Sequence, residues 1–227
     1  MEEPATMTHD GRPRGRDDIQ TWHLLLGSVA LTLFVNWYTN EFMLTREMYQ
    51  TMLGAQLDES RIDTIFESFR RGQWIGYWGT PLFVLLRIAF VALLMQLPAM
   101  MMMWDIQTSR IFRAVTVGYF ALLGGTLLRA VIVANRPAGA DPGYTLVQVP
   151  GSLASVLMNE AAYRTPLFTF LNLVNPFELT WVVIVAELIC REFEGPRGRV
   201  YALVGSTWLA LTSLQWAITW YLTRAFA

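Results

Sequence analysis

The chain contains no lysine; all seventeen of its basic residues are arginine. That excludes a phosphate-cradling P-loop lysine, a Schiff-base lysine and pyridoxal chemistry. It has one cysteine, Cys190, so neither an internal disulfide nor a multi-cysteine zinc site can form. His9 and His23 are its two histidines, too few for a histidine metal cage. Charge of either sign is scarce: 15% of 227 residues, against about 25% in soluble domains. Seventeen basic and eighteen acidic residues leave a net charge of −1, which gives no reason to expect nucleic acid as a partner. No cofactor and no metal is expected, and no Ser-His-Asp set can be assembled around His23, so the chain does not read as an enzyme. What it has in quantity is apolar: 54% AVILMFWYC and a mean hydropathy of +0.35.

The apolar residues fall into five runs, at about 24–38, 80–104, 114–134, 166–190 and 200–222. The last four suffice to cross a hydrocarbon core of about 30 Å at a helical rise of about 1.5 Å per residue. The first reaches that length once Trp22 and its flanking residues are counted. A span in lipid must satisfy its backbone internally, so the runs must be helices. The expected fold is all-α: a polytopic membrane helical bundle with five transmembrane helices over 22–39, 80–104, 114–134, 166–190 and 200–222. A polar cytoplasmic tail, 1–20, precedes the membrane domain, 21–227. Two outer loops, 40–79 and 135–165, carry one or two short amphipathic helices. The first run reads as a retained anchor, since no small-x-small cleavage site follows Tyr38.

Five spans put the chain ends on opposite sides of the membrane. The short, arginine-dense connections at Arg110–Arg113 and Arg191–Arg199 favour the inside, as does the Arg12–Arg16 cluster. The chain is therefore expected in a bacterial inner membrane, multi-pass, with a cytoplasmic N-terminus and an external C-terminus. Trp22 and Trp104 then mark the inner interface, and Trp37, Trp74, Trp78, Trp216 and Trp220 the outer one.

Within 40–79, Ser60 and Asp63 have capping-box spacing. Ile62, Ile65, Phe66 and Phe69 follow at i, i+3, i+4 and i+7, which predicts an amphipathic helix of about three turns. Within 135–165, Pro137, Gly139, Pro142 and Gly143 signal a loop. Leu153, Val156, Leu157 and Ala161 then suggest a second short amphipathic helix.

Four ionisable residues lie inside spans: Arg87, Arg129, Glu178 and Glu187. A charge at mid-bilayer costs about 2.5–3.5 kcal/mol on insertion scales, so each must face the bundle, water or a counter-charge. Glu187 has Arg191 one turn on. Arg129 is five residues from the outer end of its run and can snorkel. Arg87 and Glu178 lie about 13 Å and about 18 Å from the outer ends of parallel spans. Similar depth and opposite sign predict a pair, joined or not by Arg129. Pro176 removes an amide and clashes with the carbonyl four residues back, so the fourth span should kink. Asn172, Asn175 and the freed carbonyl would then make a polar spot beside Glu178. A broken helix near the midplane is a transporter-like feature, whereas a pair that only clamps packing carries no transport role. The run Met100–Met103 cannot converge on one ion, since consecutive helical residues point about 100° apart.

The C-terminal part resembles the Yip-type (Ypt-interacting protein) family of five-span membrane proteins, in its bacterial branch. The resemblance lies in Leu171-Asn172-Leu173 through Phe177, Trp181 and Val182-Val183-Ile184-Val185, then a basic turn, Arg191–Arg199, and a final apolar run. The chain departs from that pattern at Glu187, where the family often has Gly, and it lacks the eukaryotic Asp-Leu-Tyr-Gly-Pro signature. The resemblance implies a non-enzymatic membrane-organising or accessory subunit, for example of an export system, with the bilayer and a protein partner or second copy as its contacts. The residues themselves leave open a small permease using the Arg87–Glu178 spot.

Overall fold

In a computed structural model, residues 14–54, 57–104, 106–135, 142–159, 162–163, 165–192 and 196–225 are described. The expected tail therefore lies outside the described residues over 1–13, as do Pro137, Gly139 and Ala161 of the second loop. All regular structure among the described residues is helical: α1 (Arg14–Tyr38), a π-helical turn (Thr39–Met43), α2 (Arg46–Leu53), α3 (Glu59–Met101), α4 (Thr108–Ala134), α5 (Pro142–Val147), α6 (Leu153–Leu157), α7 (Pro166–Leu173), α8 (Pro176–Cys190) and α9 (Arg197–Ala225).

Three helical stretches among the described residues are long and apolar enough to cross a membrane: α3, α4, and α7 with α8. Helices α1 and α9, of 25 and 29 residues, are not among these three. Ser28, Thr32 and Asn36 interrupt α1, and Ser206, Thr207, Thr212, Ser213, Gln215 and Thr219 interrupt α9. Several of these bond within the helix: Thr32 donates to the Ser28 carbonyl at 2.7 Å and Thr207 to that of Leu203 at 2.9 Å.

The residues expected to form a separate three-turn helix are instead the start of α3, which runs unbroken for 43 residues past Gly72, Gly76, Gly79 and Pro81. A proline within a helix breaks one hydrogen bond without ending it when neighbouring turns hold. Here Thr80 donates to the Gly76 carbonyl at 2.8 Å and accepts from Asn36 of α1 at 3.0 Å, pinning the turn around Pro81. Against the first turns of α3 lies α2. Arg46 donates from two nitrogens to Asp63, at 2.6 and 2.8 Å, and Tyr49 sets its ring against Phe66 and Phe69.

The bundle is organised around α4, which packs against α1, α3 and, most extensively, α8. Fully buried Met95, Ala99, Val185, Ala186, Val200 and Val204 fill the core. The α4–α8 crossing is close because α4 offers glycine where α8 offers bulk. A Cβ on Gly118 would lie 2.6 Å from Val185 and 2.9 Å from Trp181, and one on Gly125 would lie 2.6 Å from Phe177. The small residues let apolar surfaces approach, as helix contacts in lipid require. Gly118→Ala and Gly125→Ala should each destabilise the bundle by about 1–3 kcal/mol, the usual cost of overpacking. Gly124→Ala, whose Cβ meets nothing within 4 Å, is the control. Thermal unfolding in detergent would check this through lowered midpoints for the first two substitutions only.

Candidate functional site

The sequence places Pro176 where a helix through 166–190 cannot continue smoothly, and the break is wider than a kink. Helix α7 ends at Leu173 and α8 begins at Pro176, so proline occupies the first helical position, where no amide is needed. Asn175 closes the gap. Its Oδ1 accepts from the amides of Phe177 and Glu178, at 3.1 and 3.0 Å, and its Nδ2 donates to the carbonyls of Asn172 and Leu173, at 3.2 and 3.3 Å. Asn172 reaches the other way. It accepts from the Val149 amide at 2.9 Å and donates to the Val147 carbonyl at 2.8 Å, tying the stretch 147–149 to α7. Both side-chain amides, expected beside Glu178 as site groups, are thus spent on backbone, and the freed Asn172 carbonyl is taken.

Glu178 stands in the first turn of α8, at the positive end of that helix, where a carboxylate is favoured. Its Oε2 accepts from the Trp208 indole at 3.2 Å. Arg87 lies with its guanidinium carbon 5.4 Å from the centre of the Tyr119 ring, a cation–π placement. Both charges line one half-open cleft of about 470 Å³ between α3, α4, α8 and α9. The expected direct pair is absent: no ion pair within 4.0 Å joins them, although each lies within the other's field. Arg129, half-buried further along α4, does not line the cleft, and neither do Asn172 and Asn175. Nor does Glu187 pair with Arg191; it accepts from the Tyr201 hydroxyl of α9 at 2.8 Å, while Glu192 takes Arg110 of α4.

The cleft also contains residues that charge-based reading passed over. Trp208, Thr212, Gln215 and Thr219 line it from α9, at spacings of four, three and four, which is one face of a helix. Tyr119 and Trp181 add aromatic wall. That spacing was visible in the final apolar run as a polar stripe. A second cleft, of about 320 Å³ beside Trp22, Leu25, Leu85 and Phe112, has no charged side chain in its lining. Among the described residues no group of three or more His, Cys, Asp or Glu could hold a metal.

Comparison of the chain with protein-family models, curated proteins and solved structures found no match.

Asn175→Ala should lower stability by about 1–2 kcal/mol, the cost of losing a helix N-cap. Asn175→Ser, which keeps an acceptor for the first turn of α8, should recover most of that loss. Denaturant unfolding of the purified variants measures the difference.

Proposed function

We propose that the chain is a five-span, non-enzymatic protein of the bacterial inner membrane that binds a small solute in the α3–α4–α8–α9 cleft, as a small permease would. One observation carries this reading: Arg87 and Glu178 face the same cleft and do not neutralise each other by contact. A packing clamp gains most when its two charges touch, because each then recovers part of its lost hydration. Charges held apart around a cavity keep their binding capacity for a guest.

In this reading α1 and α9 join the three more apolar helices as spans. Exposed Leu26 and Phe34 on α1, and Leu209 on α9, support it as surface for lipid, and Thr212, Gln215 and Thr219 of α9 face the cleft. The N-terminus is cytoplasmic and the C-terminus external. A second reading, the Yip-type organising or accessory subunit, draws support from Trp74, Ile75 and Trp78 on α3, all exposed and available to a protein partner or a second copy.

Proteoliposomes challenged with small radiolabelled zwitterionic, anionic and cationic solutes, read by uptake of label, test the first reading. Solute-dependent flux is expected in the wild type and should be lost with Glu178→Gln and with Arg87→Gln. Absence of flux from a folded wild type, together with a stoichiometric protein partner retained in mild detergent, would favour the second. Accessibility tags at the two ends should label from opposite faces of the membrane.

A further inference from the structure

Resting on the solute-binding reading above, we infer that the cleft takes a small zwitterion with an apolar or aromatic body, of the size of an amino acid, its anionic end on Arg87 and its ammonium on Glu178.

Four observations converge on this guest. The first is charge balance. Arg87 and Glu178 are the charged residues lining the cleft, so the empty site is neutral. A guest with net charge would leave one charge uncompensated among apolar walls, which is costly. A zwitterion keeps the total at zero. The second is unused hydrogen-bonding capacity. Among the described residues the Arg87 guanidinium has an aromatic face but no hydrogen-bond acceptor, and Glu178 has one indole donor on one oxygen. A carboxylate or phosphate on the guanidinium and an ammonium on the free carboxylate oxygen would each form a charge-assisted bond, the stronger kind. The third is the wall. Tyr119, Trp181 and Trp208 border the cleft and offer aromatic area to an apolar body. The fourth is volume: about 470 Å³ lies at the small end of ligand sites. Thr212 and Gln215, on the α9 stripe, supply neutral donors and acceptors beside the two charges.

The full-length protein in phosphatidylglycerol nanodiscs offers a direct test, since Trp181 and Trp208 border the cleft and report occupancy through their fluorescence. The probes are L-phenylalanine and L-leucine, with L-phenylalaninamide lacking the anion and 3-phenylpropionate lacking the ammonium. Saturable fluorescence change is expected with at least one of the two amino acids. Each half-molecule should bind about tenfold weaker or more, the equivalent of one charge-assisted bond. Arg87→Gln should reduce the amino acid to the affinity of the amide, and Glu178→Gln to that of the propionate. The half-molecule arms need only the wild type, so a variant that fails to fold does not block the test.

Repeating the titration in phosphatidylethanolamine discs separates sources, because that headgroup carries the same ammonium-and-anion chemistry. Retained amino-acid binding there supports the free solute; loss of it would assign the pair to the lipid headgroup and overturn the amino-acid-sized guest. Equal binding by either half-molecule, or no change in both charge variants, overturns it and leaves solute binding intact. Silence from both amino acids also overturns it, and the solute-binding reading then stands or falls on the proteoliposome flux.

Discussion

A backbone that stops being helical among apolar surroundings must find a partner for every N–H and C=O it releases, because neither lipid nor hydrocarbon side chains can supply one. Between Leu173 and Pro176 that requirement falls on Asn175. Its carbamoyl group serves two amides of the helix ahead and two carbonyls of the helix behind. An amide side chain can do this because it both accepts and donates; Asp could close only the forward half. The break it makes possible starts a fresh helix in mid-bundle, with a positive terminus at Glu178.

From that point the cleft follows. The close glycine-bearing crossing of α4 with α8 holds the new helix against the bundle, while α9 packs on α8 and brings Trp208 to the carboxylate. On the opposite wall, Tyr119 gives the Arg87 guanidinium a resting place other than Glu178. The separation of the two charges thus has structural causes on both sides: an indole on the acid and a ring under the base.

Much of this arrangement could be read from residue order. Long apolar runs marked α3, α4 and α7–α8, and the depth count brought Arg87 and Glu178 to one place. Contact distance was beyond that count, because it depends on which aromatic neighbours compete for each charge. Asn172 and Asn175 were legible as polar residues at a break but not in their role, since whether an amide serves a ligand or a backbone is decided by local geometry. The continuity of α3 was hidden by Gly72, Gly76, Gly79 and Pro81, residues that elsewhere punctuate a chain. Here, cross-bracing from Asn36 and Thr80 holds the turn around Pro81. The α9 stripe was written plainly at 208, 212, 215 and 219, but a search that follows formal charge does not see it.

The segment 144–154 grips the bundle through main-chain atoms as well as through the Tyr144 ring, set against Phe168, and the buried Ala154. Val147 contributes its carbonyl, Val149 its amide, and Leu153 donates its amide to the Val174 carbonyl at 3.0 Å. Gly151 turns beside Pro176 with a φ of 71° that a side chain would strain. Substitutions other than proline at Val147, Val149 and Leu153 therefore leave these main-chain bonds in place, while Gly151 and Asn172 admit almost none. Sequence freedom and structural importance are decoupled along this stretch: a reader scoring positions by side-chain chemistry would rank its anchoring points among the most dispensable in the molecule.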